Sequence, residues 1–181
     1  MAAKQATTNF DEIRTIVADL PGPDQTSADL ARGREGQLTK PPGALGRLEA
    51  LAEWLAAWQG RHPARIDRAR VAVFAGNHGV AALGVSAFPS AVTAQMVANF
   101  QAGGAAVNQL CALMDAELKV YEMSLDQPTR DFSSEPAMSE AECARSIAYG
   151  MMAVEDGIDV ICLGEMGIAN TTSAAALCLA L

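Results

Sequence analysis

Aromatic residues make up only 5% of the 181 positions, and Asp, Glu, Lys and Arg together only 19%. Few large rings and abundant alanine point to helices packed closely together. Half of the residues are apolar, which excludes a disordered chain. Basic residues are the scarcer charge: 13 Lys and Arg stand against 21 Asp and Glu, a formal net charge of −8. That balance gives no basic face of the kind nucleic acid demands, so no nucleic-acid partner is expected. A small anionic ligand needs only a local positive site. There are four cysteines, Cys111, Cys143, Cys162 and Cys178, and none form a CxxC pair. The two histidines, His62 and His78, lie at no ligand spacing from them, which excludes a zinc site and leaves metal: none as the expectation. Buried free thiols in a reducing compartment are expected instead. The opening residues, Met1 to Gln5, lack the apolar core of a signal peptide. No apolar run reaches membrane-spanning length without charge or glycine, so the expected location is cytoplasmic, with no membrane partner.

What remains is enough chain for one α/β domain with a real core. Residues 9–20 carry Phe10, Ile13, Ile16, Val17 and Leu20 at helical spacing, and Pro21-Gly22-Pro23 ends that helix. Residues 24–37 form a second helix. Neither can bury its apolar face alone. Two prolines and a glycine in Pro41-Pro42-Gly43 force an extended path, and a helix starts near Ala44. Its apolar face is Leu45, Leu48, Leu51, Ala52, Leu55 and Trp58. Lys40 and Arg47 either meet a phosphate or, as is more common for such residues, are solvated or pair with acids.

Three strands then alternate with helices. They are residues 70–75, 118–123 and 159–163, an order that yields a doubly wound parallel sheet. Ser139 with Glu142 three residues later reads as a capping box. The tight turn Gly76-Asn77-His78-Gly79-Val80 follows the first strand at the end where open parallel sheets bind ligands. His78 there is a base or, more commonly for a lone histidine, a structural donor tying loops together. Pro89 suits the first turn of a long helix whose apolar side is Val92, Met96, Phe100 and Val107, interrupted at Gly103-Gly104. Phe88, Gln95 and Met96 either line a flat apolar pocket or pack in the core.

The third strand runs into Gly164-Glu165-Met166-Gly167-Ile168-Ala169-Asn170-Thr171-Thr172, and a helix reads from Ser173. Strand, glycine-bearing turn and a helix opened by Asn and Thr is a way to hold an anion, because first-turn N–H groups and the helix dipole favour negative charge. Gly164 and Gly167 let the backbone approach closely. Glu165 within such a turn repels a phosphate and so faces another part of a ligand. An ordinary capped strand-to-helix connection has the same pattern. Three strands leave an open apolar edge, so the 181 residues read as part of a larger domain, a truncated chain or one half of a split protein.

In combination, several segments resemble the nicotinate-nucleotide–dimethylbenzimidazole phosphoribosyltransferase family. They are residues 39–48, Gly76-Asn77-His78-Gly79-Val80, Phe88-Pro89 through Met96, Ala102-Gly103-Gly104-Ala105-Ala106, Glu135-Pro136-Ala137-Met138-Ser139 and residues 164–172. The resemblance implies a Rossmann-like parallel sheet with flanking helices. It also implies a small helical domain to which residues 1–37 belong, with residues 38–181 as a partial α/β domain, and a homodimer. The implied reaction moves the ribose phosphate of nicotinate mononucleotide onto dimethylbenzimidazole, giving α-ribazole phosphate and nicotinate in cobalamin lower-ligand synthesis. No cofactor is implied. Gly164, Glu165, Met166, Gly167, Asn170, Thr171 and Thr172 would lie against the nucleotide, with Glu165 as a secondary carboxylate. Phe88, Gln95 and Met96 would border the azole, and Asn77 and His78 would shape the floor between. The family carries Gly where Ala169 stands. Its catalytic glutamate, near the C-terminus of a chain roughly twice as long, has no counterpart here. The competing expectation is therefore a non-catalytic ligand-binding or dimerisation module.

Overall fold

The structure, a computed structural model, describes residues 9–181. Met1 to Gln5, whose composition argues against a signal peptide, lie outside the described residues. Among those described, no helix is long and apolar enough to cross a membrane. The chain divides into two compact units, one of residues 16–67 and one built mainly of residues 68–181.

Helix α1 spans Phe10–Ala18, with Ile13 its buried residue. In the smaller unit, α2 (Gln25–Glu35) and α3 (Arg47–Gln59) pack together. Asp24 caps α2 by accepting from Ser27 N at 2.9 Å, while its own N–H donates to Ala57 O at 2.9 Å. The stretch from Pro41 to Gly46 delays the start of α3 to Arg47, since Gly43 and Gly46 both take positive φ. The face of α3 that packs is its small one: Ala56 and Ala57 are buried, while Leu48, Leu51, Trp54 and Trp58 are exposed. Alanines allow two helix axes to approach closely, which the larger side chains of α3 do not.

The larger unit contains a parallel sheet of three strands in the order β2-β1-β3, flanked by helices. The strands are β1 (Ala69–Ala75), β2 (Glu117–Glu122) and β3 (Val160–Met166). Central β1 is the most apolar of the three, and Ala72, Val73 and Ala75 in it are buried. Parallel strands covered on both faces read as such near-continuous apolar runs. A 3₁₀ turn (Gly79–Leu83), α4 (Ala91–Gln101) and α5 (Ala106–Leu113) connect β1 to β2. Helix α6 (Glu140–Met151) connects β2 to β3, and α7 (Asn170–Ala180) follows β3. The Ser139–Glu142 box is present: Ser139 N donates to Glu142 Oε2 at 2.7 Å, and Glu142 N donates to Ser139 Oγ at 3.3 Å. The Ser139 hydroxyl first, and Arg130 with it, hold the Glu142 carboxyl down to about 2.

An expectation about β3 and one about the thiols are corrected. The strand does not stop at Leu163 but continues through Gly164, Glu165 and Met166, because Val73, Phe74 and Ala75 of β1 pair with them. The thiols are not generally buried. Cys111 is, but Cys162 on outer strand β3 and Cys178 on α7 are exposed, and Cys143 is intermediate. β3 has a sheet partner on one side only among the described residues, and Leu163 on it is 74% exposed.

The amino end of the sheet is tied by charge. Arg70, 2% exposed, donates Nε to Glu117 Oε2 at 2.8 Å, Nη1 to Ala153 O at 3.0 Å and Nη2 to Glu155 Oε2 at 3.0 Å. Lys119 Nζ joins Glu155 Oε1 at 2.7 Å. With Arg70 first and Lys119 second, the Glu155 carboxyl is pulled down to about 2.

Candidate functional site

The carboxyl ends of β1 and β3 lie side by side, and so do the loops that leave them. Gly76 N donates to Met166 O at 3.0 Å, extending the sheet by one bond into the loop. Gly167 then packs face-on against the other loop. A Cβ placed there would stand 2.4 Å from Gly76 O and 3.0 Å from His78 Nε2, so only glycine fits. Gly164 is not under this constraint. It lies in the ladder opposite Val73, and a Cβ there would meet Val73 Cγ2 at 3.5 Å, an ordinary contact. Of the two glycines expected to allow close approach, Gly167 alone does so.

Glu165 also leaves the turn. It is the penultimate residue of β3, opposite Phe74, with an exposed side chain. This removes the conflict of a carboxylate within a phosphate turn, since Glu165 projects from the strand ahead of it. Asn170 Nδ2 donates to Glu165 Oε1 in a short hydrogen bond, and Thr171 N donates to Asn170 Oδ1 at 2.7 Å. Asn170 thus spans from the carboxylate to the first turn of α7. Thr171 is exposed and Thr172 half-buried in that same turn.

The helix begins at Asn170 rather than Ser173, and the capping position falls to Ala169, which offers no side-chain acceptor. Ala169 is buried and left-handed, with φ 70° and ψ 14°. For a residue with a Cβ, that conformation costs about 1–2 kcal/mol. Glycine would occupy it freely.

Two ties reach the turn from elsewhere. Thr93 on α4, fully buried, accepts from Ile168 N at 3.2 Å. Ser173 Oγ on α7 lies 3.1 Å from His78 Nδ1. Burial holds the His78 imidazole below its ordinary value of 6.5, and the Glu165 carboxylate acts in the opposite sense. Asn77 is a loop tie as well: its Nδ2 donates to Leu125 O at 2.8 Å and its carbonyl accepts from Thr129 N at 3.1 Å. Thr93 and Ser173 carried no role in the sequence reading. The available signal was a lone hydroxyl one residue from Val92 on an otherwise apolar helix face.

The residues proposed around an azole are spread along one stretch. Phe88 stands in the loop before α4 and is 64% exposed; Gln95 is exposed on α4, and Met96 is half-buried one turn beyond Thr93. In the smaller unit, Lys40 is committed to Glu35 at 2.5 Å and Glu49 at 2.6 Å, which favours the acid-pairing alternative for it over phosphate binding.

The phosphoribosyltransferase family model matches residues 20–181, which includes every element of this site. The chain belongs to the nicotinate-nucleotide–dimethylbenzimidazole phosphoribosyltransferase family. A phosphoribosyltransferase of that description from Sinorhizobium medicae is 59% identical over 172 residues, 95% of this chain and 51% of the relative. One from Rhizobium meliloti is also 59% identical over 172 residues, with the same coverage of both chains. The crystal structure of such a phosphoribosyltransferase from Thermus thermophilus superposes with a TM-score of 0.80 at 40% identity, over 87% of this chain and 53% of that one. The chain spans about half the length of the curated phosphoribosyltransferases it matches.

Proposed function

We propose that this chain supplies the nucleotide-facing part of an enzyme that transfers a phosphoribosyl group from nicotinate mononucleotide to dimethylbenzimidazole, releasing nicotinate and forming α-ribazole phosphate. Family membership carries the reading, and the placement of Glu165 beside a Gly167 turn supports it. The leaving pyridinium departs as nicotinate and needs no acid. The ribose gains oxocarbenium character as that bond breaks, and a carboxylate nearby stabilises the developing positive charge. Glu165 takes this part, oriented by Asn170. Gly164, Met166, Gly167, Thr171 and Thr172 border the nucleotide with them. Phe88, Gln95 and Met96 border the azole, and Asn77 and His78 form the floor between. Holding azole and ribose in line contributes the remaining rate enhancement. The azole's N–H proton requires a base. None is assigned to this stretch.

The test is α-ribazole phosphate formation by the chain alone and by the chain supplied with the C-terminal half of a relative. Turnover is expected only in the second case, with Glu165→Gln lowering it by roughly 10²-fold. Unchanged turnover in Glu165→Gln would remove the carboxylate from the mechanism. A second reading is a module that binds ligand or dimerises without catalysing. Nucleotide binding without turnover in either mixture would select it. The enzyme is further read as a cytoplasmic homodimer, and sedimentation of the assembled protein checks the dimer.

A further inference from the structure

Ser173 and His78 form the contact that joins α7 to the β1 loop. Two arrangements suit their 3.1 Å separation: the hydroxyl donates to a bare Nδ1, or accepts from a protonated one. Among the described residues the hydroxyl's hydrogen bond is to His78, and it makes no bond back to the carbonyl one turn earlier, Ala169 O, which accepts from Ser173 N at 3.3 Å. With no protein acceptor competing for its proton, the hydroxyl is free to donate to a bare Nδ1. The second ring nitrogen, Nε2, faces the Gly167 turn, 3.0 Å from where a side chain on Gly167 would begin. The nearby Glu165 carboxylate favours the charged ring, against the larger effect of burial.

We propose that Ser173 is a positioning residue that fixes His78 as the Nε2–H tautomer, so that the neutral imidazole edge buttresses the Gly167 turn that lies between Glu165 and Asn170. The role rests on the proposed transfer reaction only where nucleotide binding is read; the tautomer does not. Burial keeps the ring neutral, which is what a donor–acceptor ring of fixed polarity requires. Loss of the Ser173 hydroxyl would leave both tautomers open and the ring free to rotate.

The chain has two histidines, so imidazole nitrogen NMR of the wild-type protein resolves His78 from His62 without extensive assignment. At neutral to mildly alkaline pH, His78 is expected to show a proton on Nε2 and a bare Nδ1. A proton on Nδ1, or a tautomer mixture, overturns the inference. Ser173→Ala is expected to give the mixture and Ser173→Thr to restore the single tautomer. The same three proteins are titrated with nicotinate mononucleotide. Ser173→Ala should bind it about two- to tenfold more weakly, the range one net hydrogen bond supports, and Ser173→Thr should bind as wild type does. Equal affinity of wild type and Ser173→Ala overturns the positioning role. The titration is made with the C-terminal half of a relative supplied; if wild type then does not bind the nucleotide, the transfer reading fails and the tautomer measurement alone decides. Should Ser173→Ala not fold, the tautomers of wild type and Ser173→Thr still decide: a bare Nδ1 in both supports the inference, and a protonated Nδ1 in either overturns it.

Discussion

At the amino end of the sheet, Arg70 gathers Glu117, Glu155 and a backbone carbonyl, with Lys119 on the same carboxylate. At the carboxyl end the ties are a threonine hydroxyl, a serine–histidine contact and an asparagine amide. Among the described residues no cation pairs with Glu165 there. The contrast separates holding from binding. An end closed by its own salt links has no charge left over for a ligand. An end held by neutral groups leaves Glu165 free of a counter-ion among the described residues.

The largest break in that contrast is steric. Gly167→Ala drives a methyl into Gly76 O and should cost about 3 kcal/mol, whereas Gly164→Ala, in open ladder, should cost well under half as much. Urea unfolding of the two variants measures the difference; equal costs would mean the β1 loop yields easily and is not held against the turn. Next comes Thr93→Val, which keeps the shape but leaves Ile168 N–H buried without its acceptor. A loss of about 1–3 kcal/mol is expected. Ala169→Gly goes the other way. Relief of the left-handed backbone outweighs glycine's extra unfolded-state entropy, and a gain of up to about 1 kcal/mol is expected in the same assay. A loss there would show that the Ala169 methyl makes contacts worth more than its strain.

The smallest effects separate the two ends by pH. His78 is held below its ordinary 6.5, so its neutral form is favoured by folding. Its contribution is complete above 6.5 and is lost as pH falls from there toward the lower folded value. Glu155 is held at about 2 against an ordinary 4.5. Its contribution is complete above 4.5 and is lost as pH falls from 4.5 to about 2. Acidification should therefore loosen the carboxyl end first. His78→Asn should flatten the upper part of a stability–pH curve, and Glu155→Gln the lower part.

Much of this architecture was legible from local pattern. β1 begins one residue before the expected start at Arg70, and the Ser139–Glu142 cap forms as its spacing indicates. Glycine misled at Gly164, where a local breaker was overruled by pairing with a strand about ninety residues earlier. Apolar spacing identified the large face of α3, but the packing against α2 uses Ala56 and Ala57. The ties that build the site were the least legible, because Thr93 and Ile168 are 75 residues apart and His78 and Ser173 are 95. Nothing in the residues next to either hydroxyl specifies a partner that distant. The backbone angles of Ala169 came only with the fold.

The central position of β1 also sets a timetable. Among the described residues it is the first strand, and it pairs on both sides, with β2 across 47 residues and with β3 across 91. Closing the longer loop costs only about 0.6 kcal/mol more than closing the shorter, so entropy barely ranks the two pairings. Synthesis does rank them. As the chain emerges, the run Val71-Ala72-Val73-Phe74-Ala75 waits for β2 and then waits again for β3, with apolar edges open each time. Slow, non-local pairing of this kind makes the nascent β1 the segment most dependent on chaperone protection.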